Sequence, residues 1–207
     1  MTSRYHHGNL RAALIEAAAE LARSGGPDAV VLREAARVVG VSHNAAYRHF
    51  ADREEVLAEV GELAMAQLEQ AMLDGIAGVR ARDPRKRARE RLAATGRAYV
   101  TYALGNPGLF TVAFAGATKQ DAAEHAATSG GPYGVLNTVL DELVEVGAMP
   151  AGRRPNADFT CWSSVHGYAG LHLTTALANG MAAVDPALWE AGLEHVLDVL
   201  DRGLTAD

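Results

Sequence analysis

Between Ser42 and Phe50 the chain sets down His43, Asn44, Tyr47 and His49 with no acidic side chain among them. Imidazole, amide and phenol groups bond phosphate oxygens and base edges. An asparagine amide matches two edge atoms of adenine, and an acid-free surface can approach a phosphate backbone. A second set of polar groups lies further on, around Trp162 and His166-Gly167. His166 is a lone imidazole on an apolar stripe. It is either a core residue bonded to a carbonyl or water, or a polar group facing a ligand. No carboxylate pair stands one helical turn away, so a hydrolytic triad has no support. His172 points to a different face from His166, and a metal site would need ligands from elsewhere, so no metal is expected. Dinucleotide and phosphate-loop glycine motifs are absent, and no cofactor is expected. Cys161 is the one cysteine, which rules out an internal disulfide and a cysteine zinc cluster.

The elements that must carry these groups can be read from spacing. Leu32, Ala35, Ala36 and Val39 fall at helical intervals and give a first helix one apolar face. Gly40 stops it, because glycine takes a left-handed C′ conformation without steric cost. Val41 plugs the turn, and Ser42 is placed to N-cap the next helix. That helix is short, His43 to Phe50, with Ala46 and Phe50 inward and the polar groups outward. Asp52 and Glu55 then form an acidic capping box for a third helix. A helix, a glycine turn and a short polar helix form the helix-turn-helix unit, whose second helix enters the DNA major groove. A solvated helix in an ordinary bundle carries the same spacing.

The residue types narrow the choice. Leu32-Arg33-Glu34-Ala35-Ala36-Arg37, Gly40-Val41-Ser42, Ala46-Tyr47-Arg48-His49-Phe50, Asp52-Arg53-Glu54 and Leu57 resemble the DNA-binding domain of the TetR family of bacterial transcriptional regulators. The resemblance implies that Tyr47 and His49 contact phosphates. It implies further backbone contacts from Ser42 and Arg53. Arg33, His43, Asn44 and Ala45 match positions that usually read bases. The sequence departs from the family in two places. Val31 stands where Thr or Ser is common, which removes one cap and phosphate contact. Arg53 stands where Lys is usual, which keeps the charge and changes the geometry. Further along, Trp162 and His166-Gly167, with Asn106-Pro107 followed by Phe110, resemble the C-terminal domain of a TetR subfamily named for its Trp-His-Gly (WHG) motif.

The 207 residues are 49% hydrophobic, enough for a sizeable core. The net charge of -6 argues against non-specific nucleic-acid binding by the whole molecule, but not against a local DNA face. Screening limits the reach of remote acids to ~10 Å. No apolar signal segment or membrane span is present, so the chain is expected in the cytoplasm, away from membranes. Met1 to Gly8 is a polar arm, either frayed or touching DNA. Asn9 is a plausible cap for a first helix carrying Leu10, Leu14, Ala17, Ala18 and Leu21, ended by Gly25-Gly26-Pro27. A long helix from Asp52 runs to Gly75 or Gly78. Arg80 to Arg91 holds seven basic residues against Asp83 and Glu90 and reads as a solvated loop and helix start. Helices follow to Leu104, over Leu109–Ala115 and over Pro132–Val146. Gly116 to Gly131 is small, polar and partly mobile in this reading. Phe159, Trp162, His166, Ala169 and Leu173 mark one face of the next helix, and Asp185-Pro186 starts the last.

The expected architecture is all-α: a three-helix helix-turn-helix domain over 1–51, a connecting helix over 52–78, and a C-terminal dimerisation and ligand-sensing domain over 79–207. Tyr99, Tyr102, Phe110, Phe114, Tyr133 and Trp162 could line one apolar pocket, with His166 as its polar anchor. Residue types alone favour a plain helical core. The family resemblance favours the pocket, because relatives typically release DNA when a small ligand binds there. The expected function is a ligand-responsive repressor, a homodimer on near-palindromic operator DNA, and not an enzyme. The rival is an all-α enzyme or metal-dependent protein built on His166. The dimer is expected to use about Asp158–Asn179 and Pro186–Gly203, with Leu197 and Leu200 at the interface.

Overall fold

A computed structural model describes residues 10–115, 130–179 and 185–205. The N-terminal arm, the Asn9 cap and most of the Gly116–Gly131 segment lie outside the described residues. Among those described, every regular element is helical. In chain order they are α1 (Leu10–Ala29), α2 (Leu32–Val39), α3 (His43–Ala46), α4 (Arg53–Ala77), α5 (Pro84–Gly105), α6 (Pro107–Ala115), α7 (Gly131–Glu145), a 3-10 turn (Ala151–Arg153), α8 (Ala157–Asn179) and α9 (Pro186–Thr205). None is long and apolar enough to cross a membrane. The chain forms two compact units, Met1–Met65 with Asn106–Lys119 and Ala66–Gly105 with Gln120–Asp207.

The first unit is built on Leu14, Ala18, Leu32, Ala35, Ala46, Phe50, Val56, Val60, Leu109 and Val112, all buried. Regular α1 breaks at Gly26, whose φ of 69° is open to glycine, and Pro27 starts one more turn. Arg11 ties α1 to α4 through Glu59 at 2.6 Å, and its guanidinium lies 5.0 Å over the Phe50 ring. Helix α6 belongs to this unit, whereas the sequence reading assigned that stretch to the C-terminal domain. The reason is Gly108. A Cβ there would stand 1.9 Å from the Ala22 carbonyl oxygen, so α6 reaches the α1 backbone only because the residue has no side chain.

Gly108→Ala should therefore force α6 off α1 and cost ~1–3 kcal/mol or more, the usual range for overpacking. Gly105→Ala, where a Cβ meets nothing within 4 Å, is the matched control. Chemical denaturation should show a lower midpoint for the first variant and little change for the second. Equal midpoints would mean that the close approach contributes nothing.

The second unit packs α5, α7, α8 and α9 around Ala88, Leu92, Leu136, Val139, Leu140, Leu143, Ala157, Cys161 and Leu204. The basic run is not simply solvated. Arg85 donates to the Val146 carbonyl at 3.2 Å, Arg89 forks onto Asp201, and Arg91 reaches Glu142 at 2.8 Å. Three of its cations thus pin α5 to α9 and to the helix α7 with the turn after it. On α8 the buried line is Ala157, Cys161, Val165 and Ala169, while Phe159 is 70% exposed. Helix α8 is apolar around most of its circumference, so periodicity alone could not select the buried side.

Candidate nucleic-acid interface

Helix α2 has Val31 at its N-cap position, whose side chain makes no capping bond. Its end is a Schellman turn. Gly40 is left-handed at φ 79°, its N–H reaches Arg37 O at 3.2 Å, and the Val41 N–H reaches Ala36 O at 3.0 Å. The Ser42 hydroxyl accepts from the Ala45 N–H at 3.2 Å and opens α3. Regular helix covers only His43–Ala46, shorter than the eight residues expected. Bonds from the His49 and Phe50 amides to Ala46 O continue it as a turn. The helix stops early because Phe50 is anchored in the core and α4 is capped two residues later. There Asp52 accepts from the Glu55 N–H at 2.9 Å, and Glu55 accepts from the Ala51 N–H at 2.7 Å.

This frame sorts the side chains by face. Ala46 and Phe50 are 0% and 1% exposed. His43, Asn44, Tyr47, Arg48 and His49 are exposed, as are Arg33 and Ser42, while Ala45 is half-buried. The His43 and Tyr47 rings lean together with centroids 4.4 Å apart. On α2 the only acid, Glu34, is held by Arg37 at 2.6 Å, and that bond lowers its pKa. The surface presents Arg33, Arg48 and the Asn44 amide with its one nearby acid already paired, and so is suited to a polyanion. Arg53 is arranged differently. Its Nε donates to Val30 O at 2.9 Å and its Nη2 to Pro27 O at 2.6 Å.

The expected ligand residues divide between the units. Phe110 and Phe114 stack at 4.8 Å in the first unit. Tyr99, Tyr102, Tyr133, Trp162 and His166 belong to the second. There the Trp162 ring meets Tyr99 at 5.2 Å and Tyr133 at 5.5 Å. The Tyr99 hydroxyl and His166 Nδ1 are in hydrogen-bond contact at 2.7 Å. Burial pushes the Tyr99 phenol up and the His166 imidazole down, so both are neutral near pH 7. The Tyr133 phenol is raised to about 12 by burial and by its bond to Asp158. Tyr102 reaches Gln67 at 3.4 Å. Tyr99 and Trp162 also line an apolar cavity with Gly96, Val165, Leu197 and Leu200. Its free volume is about 30 Å³, room for one or two waters. The reading from spacing missed Gly96 and Val165, because a glycine and a valine carry no chemistry that marks them. Cys161 also lines this cavity, and burial pushes its thiol up to about 12, so it is unreactive there. Among the described residues no group of three or more His, Cys, Asp or Glu could hold a metal ion.

Residues 14–60 match the family described as "Bacterial regulatory proteins, tetR family", and residues 92–196 match "Tetracyclin repressor-like, C-terminal domain". No curated protein matches the chain. Among solved structures, a protein of unknown function from Rhodococcus sp. RHA1 is 27% identical, with a TM-score of 0.75 over 99% of this chain and 100% of that one. The regulator FadR from Bacillus subtilis, in complex with stearoyl-CoA, is 21% identical, with a TM-score of 0.64 over 93% of this chain and 98% of that one. A TetR variant from Acinetobacter baumannii, in complex with minocycline, is 18% identical, with a TM-score of 0.61 over 93% of this chain and 91% of that one. With a helix-turn-helix model matched at one end and the repressor-like domain matched over half its length, the chain belongs to the TetR family of bacterial transcriptional regulators.

Proposed function

We propose that the chain is a repressor that binds a near-palindromic operator as a homodimer and releases it when a small apolar ligand binds. The observation that carries the DNA reading is the exposed, acid-free face of α3 and its following turn, with Ala46 and Phe50 locking the opposite face into the core. In this reading Ser42, Tyr47 and His49 hold phosphates. Arg33, His43 and Asn44 read base edges, and Ala45 offers a methyl to thymine. Residues 1–51 bind DNA, the helix over 52–78 carries the signal, and 79–207 dimerise and sense, with α6 as the part of that segment packed on α1. Duplexes selected from a random pool should share two-fold half-sites, and their affinity should fall linearly with log salt. Failure to enrich any sequence would reject the reading.

The dimer proposal rests on α8 and α9. Phe159 and Leu171 on α8, and Leu188 and Val199 on α9, are exposed apolar side chains. Cβ atoms built at Gly167 and Gly170 meet nothing, which leaves room for a second copy to approach. The ligand proposal rests on the largely apolar cavity beside Tyr99 and Trp162, with Asp201 at its lining, and on the bound molecules of the two similar folds. At about 30 Å³ against the ~300–1,000 Å³ of ordinary ligand sites, it must open to bind. Trp162, His166 and Gly167 also favour placement in the Trp-His-Gly subfamily. Trp162→Ala should remove the response of operator binding to ligands of this kind while leaving operator affinity within about twofold. A folded variant that still responds fully would place the ligand elsewhere.

A further inference from the structure

Arg53 stands at the start of α4, within the DNA-binding unit, yet two of its three guanidinium nitrogens donate to backbone carbonyls. The guanidinium forks onto two carbonyl oxygens, Pro27 O through Nη2 and Val30 O through Nε. Pro27 O already accepts from the Val30 N–H at 3.1 Å, so the fork closes both ends of one turn. The remaining nitrogen, Nη1, lies 3.3 Å from Glu54. Asp28 is the next acid, 3.9 Å from Nη2. Val30 itself is fully buried, and directly after it comes Val31, which leaves the N-terminus of α2 without a side-chain cap. The entry to α2 therefore lacks the hydroxyl anchor that a Ser or Thr would supply. Arg53 is the side chain that anchors this entry from outside the helix.

We propose that Arg53 is a positioning residue of the DNA-binding unit, a clamp on the Pro27–Val30 turn that fixes where α2 and its exposed Arg33 stand, rather than a phosphate contact. The proposal rests on the DNA-binding reading above. The physical case is one of geometry. A planar guanidinium presents parallel N–H groups that can span two acceptors, whereas a lysine ammonium is a point charge on a flexible stem. The fork also accounts for the two departures from the family pattern together: the position that lost its cap at Val31 is held through the longer, forked side chain at 53. Swinging the whole guanidinium out to a phosphate would give up both carbonyl bonds, and only Nη1, already 3.3 Å from Glu54, is free of the fork.

The test uses the full-length protein with Arg53→Ala and Arg53→Lys. Amide hydrogen exchange of the DNA-free protein should accelerate about tenfold within residues 28–36 for both variants, with little change elsewhere. On the selected operator, both should lose discrimination at the base pair relaxed by Arg33→Ala, and both should keep the salt slope of the unmodified protein. Arg53→Lys keeps the charge and is the safer variant for folding. If Arg53→Lys binds like the unmodified protein, or if Arg53→Ala lowers the slope by about one phosphate per subunit (~0.9 in the log–log plot), Arg53 touches DNA and the clamp is overturned. Exchange that is unchanged, or faster throughout the unit, also overturns it, as does unaltered discrimination. If the unmodified protein binds no duplex, the DNA-binding reading fails, and exchange within 28–36 alone decides the clamp.

Discussion

Leu197→Asp is expected to unfold the second unit rather than to split a dimer. The spacing of α9 suggested Leu197 and Leu200 as interface residues. Leu197 is instead 6% exposed, lines the apolar cavity, and lies so close to α5 that a Cβ on Gly96 would stand 2.5 Å from its Cδ2. Leu200 is half-buried against the same unit's core. A carboxylate at 197 would be desolvated without a cationic partner of its own, since Arg89 and Arg97 already fork onto Asp201 and Glu194. An unpaired buried charge costs ~3–5 kcal/mol or more, which is much of the ~5–15 kcal/mol that holds a typical domain. Leu171→Asp is the contrasting change. Leu171 is 66% exposed on α8, so in a single chain its replacement costs little. In a four-helix interface it sets two carboxylates into an apolar seam. Sedimentation velocity with circular dichroism separates the cases. Leu197→Asp should lose cooperative unfolding, and Leu171→Asp should give a folded monomer. A folded, dimeric Leu171→Asp protein would move the interface away from this face.

Asn44→Ala and Tyr47→Phe are expected to weaken operator binding in different ways. An asparagine bonded to an adenine edge is worth ~1–3 kcal/mol of discrimination, about 5- to 150-fold at one base pair per half-site. Losing it should flatten preference at that pair and leave the salt slope nearly unchanged. Tyr47 loses only a hydroxyl. Its ring should still lean on His43, which holds it at 4.4 Å now. If that hydroxyl meets a phosphate, every operator should weaken by a similar factor. Affinities measured on a panel of single-base operator changes distinguish the two. Uniform weakening by Asn44→Ala would make Asn44 a backbone contact, and pair-specific weakening by Tyr47→Phe would make Tyr47 a base reader. Half-sites should be centred about one turn, ~34–36 Å, or a multiple apart.

The sequence by itself determined the features whose cause lies within a few residues. The left-handed Gly40, the Ser42 cap, the Asp52–Glu55 box and the inward Ala46 and Phe50 follow from local hydrogen bonds and helical periodicity. The all-α class and the outward polar face of α3 followed from the same local rules. Tertiary structure decided which of several possible partners each side chain meets. Phe159 and Cys161 both fit a buried stripe, and packing against α5 and α7 buried Cys161 and left Phe159 outside. The basic run reads as solvated, and folding brings Asp201 to Arg89, Glu142 to Arg91 and the Val146 carbonyl to Arg85. Gly108 falls between the two helices expected to end at Leu104 and to start at Leu109, yet its missing side chain is what seats α6 on α1. Arg53 sits where the motif expects a DNA contact, and only the fold shows the Pro27 and Val30 carbonyls within its reach. A local pattern fixes the direction of a side chain along its own helix. The group that waits there is supplied by distant parts of the chain, and no spacing rule within the element encodes it.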